Sequence, residues 1–383
     1  MRNFVLTSES VTEGHPDKLC DQISDAVVDA YLSAGARAGI VAECAIATGV
    51  IFLSVRAGAE LPVDLTSLAR QVMADAGYDD SDHGRVPTVM LELSQDRGLA
   101  PEALATGRAR HMVSAFGYAC DQTPTAMPYP IDAAHRISAA LDAARRDGRL
   151  PWLSPDAQAQ VAVGFENRRP VALKAIALTY GQRAEIGAAE ARSALRDEVL
   201  APALAATPLG SLPGIDDDTR LVFLPAESPA GPAAHSGLTG RKSADDAYGS
   251  FVRRSGPALS GKDPSRIDRI AGYAARQAAR AVVVAGLARE CEVQLSYIVG
   301  DAGPVSVEVD SYGSGSVPDA AISARLGEVI DFRVGAIAER LRLWELPAER
   351  GGRFYRDLAR YGHMGRDDLA PPWEETEVAA DLA

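Results

Sequence analysis

Thr7-Ser-Glu-Ser-Val-Thr-Glu-Gly-His-Pro-Asp-Lys18 stands near the start of the chain and sets how the rest is read. Pro16 suits the first turn of a helix, where free backbone N–H groups attract anions. His15 and Lys18 add cationic donors, and Asp17 adds a hard oxygen ligand for Mg²⁺. Taken alone, an ordinary helix start with solvated charges is equally consistent. Leu19, Ile23, Val27, Ala30 and Tyr31 then mark one apolar face, which predicts a helix from His15 to about Ser33.

Outward from that helix, segments of both kinds alternate. A β-rich stretch is expected over 40–55, with helices near 64–76, 131–146, 187–206 and 264–287. Strand-like runs lie near 159–165, 171–180, 291–299 and 304–312. Pro151 and the segment 207–218 read as connections, and the Pro/Gly/Ala/Ser-rich segment 225–240 reads as a loop. The tail from Ala370, with Glu374, Glu375 and Glu377, reads as a partly ordered end. The layout is α/β (α+β). A chain of 383 residues is long for one core, so two or three subdomains are expected.

The net charge of −13 argues against general nucleic-acid binding but permits a local basic pocket. Cys20, Cys44, Cys120 and Cys291 form no Cys-x-x-Cys pair, so they read as small buried residues. No run approaches the roughly 20 apolar residues of a membrane span. The start lacks a signal peptide's pattern, so the cytoplasm is the expected home. No G-x-x-x-x-G-K-[ST] or G-x-G-x-x-G phosphate loop is present.

Three later segments carry candidate chemistry. In Gly237-Leu-Thr-Gly-Arg-Lys242, adjacent cations flanked by glycines suit phosphate oxygens, with Arg241 able to bind two of them. In Ser260-Gly-Lys-Asp-Pro-Ser-Arg-Ile-Asp-Arg269, Lys262 and Arg266 can share a helix face, and Asp268 offers a second carboxylate for a metal. Tyr361-Gly-His-Met-Gly-Arg366 presents His363, for which a satisfied structural role is expected. Surface turns and capped helices remain open readings of the first two.

In order and spacing these segments resemble the S-adenosylmethionine synthetase family over nearly the whole chain. Phe116-Gly-Tyr-Ala119, Leu150-Pro-Trp-Leu153, Tyr273-Ala-Ala-Arg276 and Ser296-Tyr297 match it as well. The resemblance implies three similar, interleaved subdomains: 1–11 with 128–224, 12–100 with 225–264, and 110–127 with 265–383. It implies attack of a nucleophile, methionine in that family, on C5′ of ATP. Triphosphate leaves and is cleaved to pyrophosphate and phosphate. By resemblance His15 lies near the leaving oxygen, and Arg241, Lys242, Lys262 and Arg266 serve the triphosphate. Asp17 and Asp268 hold Mg²⁺, Glu43 and Ser260 match potassium-site positions, Asp156 lies near the ribose, and Ala258 lines the nucleotide. A homodimer or homotetramer with shared active sites is implied.

Departures gather on the acceptor side. Arg56, His111 and His235 stand where the family carries acids, and Val299 lines the same region. The family's stacking Phe segment is replaced by Pro225-Ala-Glu-Ser-Pro-Ala-Gly-Pro232. Gln158 replaces a lysine, Arg266 replaces a lysine, and the loop near 95–110 is shortened. These changes point to an altered, anionic acceptor beside methionine itself. A triphosphate or ATP hydrolase and a catalytically silent partner are the other readings.

Overall fold

The computed structural model describes residues 3–60, 63–78, 87–105, 107–205, 212–226 and 230–382. Three sheets are present among them. The first runs β1–β6–β7–β8, from Asn3–Val11, Leu153–Glu166, Arg169–Gln182 and Arg220–Pro225. The second runs β4–β3–β2–β9, from Thr88–Gln95, Val50–Ala57, Ile40–Ala47 and Gly237–Leu238. The third runs β11–β10–β5, from Ser306–Asp310, Glu290–Tyr297 and Val113–Cys120. β7–β8 and β3–β4 pair in parallel; the other pairs are antiparallel.

Each sheet has its own long helix. α1 (Pro16–Ser33) packs on β2, α3 (Tyr129–Arg146) on β1 and β6, and α4 (Ile267–Val284) on β5 and β10. The shorter α2 (Leu65–Ala76) lies against α1, with Asp64 accepting from the N–H groups of Thr66 and Ser67 at its start and left-handed Gly77 at its end. Apolar side chains from all three layers form one connected core. The four cysteines are buried and unpaired.

α1 carries a second periodic stripe that its apolar spacing conceals. Asp17, Asp21, Asp25 and Asp29 recur every fourth residue, so they line one face, and all are buried. Buried carboxylates demand donors, and segments far along the chain supply them. Leu238 N–H donates to Asp17 (3.0 Å) and Gly240 N–H to Asp21 (2.7 Å). Gly261 N–H and Arg269 donate to Asp25, and Tyr355 and Arg356 N–H donate to Asp29. One helix face thereby fixes three segments distant in the chain, around 238–240, 261–269 and 355–356.

Most expected elements are present, with shifted ends. The 187–206 helix divides into Ala188–Leu195, a π-turn over Arg196–Leu200 and Ala201–Ala205. Pro202 lacks the N–H that would bind the Glu198 carbonyl, and Arg149 donates to that carbonyl instead (3.0 Å). Residues 207–211 and 227–229 of the expected connection and loop lie outside the described residues. The reading of the tail needs correction. Trp373 is fully buried and stacks on Tyr273 at 3.7 Å, while Glu374 pairs with buried Arg276 and Arg280. Among the described residues no helix is long and apolar enough to cross a membrane.

Candidate functional site

His15 is the N-cap of α1, its Nδ1 accepting the Asp17 amide (3.2 Å). The segment 237–242 lies directly on this helix start. A Cβ on Gly237 would fall 2.1 Å from the Pro16 carbonyl oxygen, so only glycine lets β9 come this close. Gly240 packs on Ala258 in the same way, which puts Ala258 beside the basic turn. As a result Arg241 and Lys242 reach Asp17, at 3.4 and 3.8 Å.

On the other side of His15, β6 brings in Asp156. Its Oδ2 accepts the Gly231 N–H (2.8 Å) and bonds His235 Nε2 (2.9 Å). The His15 and His235 rings are 5.0 Å apart. Burial lowers the His15 imidazole to about 4; Asp156 opposes that shift and Lys242 reinforces it. His15 is therefore neutral near pH 7, and with Nδ1 accepting, Nε2 carries the proton. The hydrogen bond to Asp156 raises the pKa of His235 instead. Gln158 bonds Glu9 (2.9 Å).

A second cluster forms around Asp268 at the start of α4. Lys262 Nζ lies 3.1 Å and Arg266 Nη2 3.4 Å from its Oδ2. Burial lowers the Lys262 ammonium, and Asp268 opposes the shift. Lys262 is seated by strapping: Gly261 O accepts from Ala42 N–H, Ile40 N–H donates to Asp263, and Val41 pairs with Lys262. His111 borders this cluster: burial lowers its pKa, and the Arg266 charge adds to the shift. Val299 is exposed on the adjoining segment, where Ala109 and Gly300 share a backbone bond.

The two clusters lie along one edge of β2, opposite the edge that pairs with β3. Leu238, next to the first, pairs with Ala45; Lys262, in the second, pairs with Val41. Four residues of strand separate those positions, roughly 13 Å. The chain thus groups the candidates as His15, Asp17, Asp156, His235, Arg241 and Lys242, and as His111, Lys262, Arg266 and Asp268.

The three domain descriptions of S-adenosylmethionine synthetase match in succession: the N-terminal domain over residues 3–95, the central domain over 107–227 and the C-terminal domain over 230–375. The chain belongs to the S-adenosylmethionine synthetase family. Curated relatives named S-adenosylmethionine synthase agree along the whole length. That of Prochlorococcus marinus (strain MIT 9313) is 41% identical, covering 100% of this chain and 97% of its own. That of Synechococcus sp. (strain JA-3-3Ab) is 40% identical, covering 99% and 97%. That of Synechococcus sp. (strain RCC307) is 41% identical, covering 99% of both.

Several residues singled out in the sequence stand apart from the two clusters. Arg56 is exposed on β3, 3.9 Å from Asp96. Glu43 is exposed on β2, while Ser260 is buried against His363 (3.5 Å). Lys18 needs correction as a ligand-facing cation: it is 1% exposed and bonded to Asp21 and Asp246. His363 is structural, as expected, bonded to Tyr273 Oη (2.8 Å). The supporting carboxylates Asp21, Asp25, Asp29, Asp246 and Asp263 escaped the sequence reading. Only the period-four acidic stripe of α1 was there to signal three of them.

Proposed function

We propose that this protein transfers the adenosyl group of ATP to a small acceptor, triphosphate leaving from C5′ and then being cleaved to pyrophosphate and phosphate. One observation carries the reading: in each cluster two cations converge on one carboxylate, Arg241 and Lys242 on Asp17, Lys262 and Arg266 on Asp268, while the first cluster's other carboxylate, Asp156, is taken up by His235 and the Gly231 N–H. A polyphosphate is the ligand that neutralises such an excess, and stabilising it as it departs lowers the barrier. Neutral His15 donates from Nε2 toward the leaving oxygen, and Asp156 holds the ribose side.

Mg²⁺ fits Asp17 and Asp268, hard carboxylates beside phosphate-binding cations, because Mg²⁺ takes one or two carboxylates and fills its shell with phosphate oxygens. When bound it neutralises charge on the triphosphate. K⁺ would draw on Glu43 and Ser260, which stand two residues from the antiparallel bridge between Val41 and Lys262, one on each strand. A second copy supplies what one chain separates. Met90, Phe52, Ala45 and Leu238 align across the second sheet, and Met90, Phe52 and Leu238 are exposed, which favours a homodimer joined through that face. The three interleaved subdomains expected from the sequence correspond in this reading to one sheet each. The cytoplasm is the home such ATP chemistry favours.

The relatives' names favour methionine as acceptor. A second reading rests on Arg56, His111 and His235: cationic or imidazole groups in place of acids repel an ammonium and attract an anionic acceptor. Incubation with ATP, Mg²⁺, K⁺ and an acceptor panel, followed by phosphorus NMR and product mass, tests both. Pyrophosphate, phosphate and an adenosyl adduct are expected. ADP as the only nucleotide product refutes the transfer, a nucleotide hydrolysed without any adduct marks a hydrolase, and inertness with tight binding to a true synthetase marks a silent partner. Ordinary turnover with methionine sinks the anionic reading.

A further inference from the structure

His15, Asp156 and His235 come from three separate elements: the N-cap of α1, strand β6 and the loop before β9. One potential ligand atom from each lies within 4.8 Å of the other two. His15 and Asp156 are buried, and His235 is partly exposed, its side chain 44% accessible.

We propose that these three side chains form a site for a borderline divalent transition ion of the Zn²⁺ or Co²⁺ kind, and that its occupation and adenosyl transfer exclude each other. Two imidazole nitrogens and one carboxylate oxygen are a donor set for such ions, not for Mg²⁺, which prefers oxygen throughout. Ligands about 2.0–2.2 Å from a common ion stand roughly 3–3.5 Å apart. His235 Nε2 and Asp156 Oδ2, at 2.9 Å, are already near that spacing. The remaining approach is that of His15 to this pair: it ligates through Nε2, whose proton moves to Nδ1 at the cost of the bond from the Asp17 amide. Asp17 lies beside His15 and favours a cation there, while Lys242 disfavours it. Water completes the shell from the open side of His235. The exclusion rests on the proposed function, in which His15 faces the leaving oxygen and Asp156 the ribose; the ion site itself does not.

The full-length chain, free of any tag and stripped with chelator, is titrated with Co²⁺ alone. Visible absorption bands of ordered coordination and one ion per chain by dialysis are expected. His235→Ala and Asp156→Asn each weaken Co²⁺ binding by at least ~10-fold, with thermal melts confirming that both variants are folded. Absence of the bands, or binding by both variants as tight as the wild type's, overturns the site. In a second arm, free Zn²⁺ is buffered at a level that fills the site while ATP turnover is followed. Wild-type turnover that falls in step with Zn²⁺ occupancy and returns when chelator removes the ion supports the exclusion; unchanged wild-type turnover at full occupancy overturns it. Because the Co²⁺ titration contains no nucleotide, its outcome stands even if the transfer reading fails.

Discussion

Gly237→Ala separates the phosphate-binding turn from the helix start it serves. The added Cβ would lie 2.1 Å from the Pro16 carbonyl oxygen and 2.7 Å from the Asp17 nitrogen. Both neighbours are backbone, with no flexible side chain to yield. Relief to an ordinary contact above about 3 Å requires β9 to retreat by roughly 1 Å. That retreat stretches the 3.0 Å bond from Leu238 to Asp17 and carries Arg241 and Lys242 with it. A 1 Å misplacement of a catalytic group costs on the order of 100-fold in rate, about 2.7 kcal/mol of barrier. The overpacking itself costs about 1–3 kcal/mol of stability. The assay is single-turnover release of triphosphate products, with a thermal melt beside it. Gly327→Ala is the control: it lies exposed in helix Asp319–Val329 with no atom within 4 Å of its added Cβ, so a gain of about 0.5–1 kcal/mol and an unchanged rate are expected. A folded Gly237→Ala protein with the wild-type rate refutes the idea that this close seat positions the cations.

Three more outcomes are expected. Glu374→Ala leaves buried Arg276 and Arg280 without their carboxylate and destabilises the chain by about 3–5 kcal/mol, measured by denaturant unfolding; a loss under 1 kcal/mol means the tail is not a structural anchor. Lys18→Met strands buried Asp21 and Asp246 and costs a similar amount, about 3–5 kcal/mol; intact stability with lost ATP affinity would make Lys18 a phosphate ligand after all. Burial raises Asp29 to about 7, so the stability it contributes is present in full below its unfolded value near 4 and lost as pH rises through about 7. The melting difference between Asp29→Asn and wild type should therefore move in the variant's favour from pH 4 to pH 8; a pH-independent difference contradicts the assigned shift.

The apolar face of α1, the alternation of helices and strands, and the family were legible because local spacing and motif order carry them. The buried charges were not, because their partners are distant in the chain. Asp29 meets Tyr355 from 326 residues away, and Glu374 meets Arg276 from 98. An acidic tail and a basic helix read as solvated until the fold joins them. Lys18 misled for the same reason: a lysine near a phosphate motif looks free, but Asp246, 228 residues on, takes its charge. His235 was visible as a departure from the family, yet its bond to Asp156 depends on β6 passing beside the loop before β9. Nor could residue order reveal that one chain divides its cations between two clusters.

That division is the central claim, and mixing two inactive variants tests it. Asp17→Asn disables the first cluster and Asp268→Asn the second. If a working site joins the first cluster of one copy to the second cluster of its partner, a mixed dimer keeps one of two sites intact. With random pairing, co-expressed variants should then regain about a quarter of wild-type ATP turnover. If both clusters act within one chain, every site in the mixture carries a lesion, and turnover stays at the level of the separate variants.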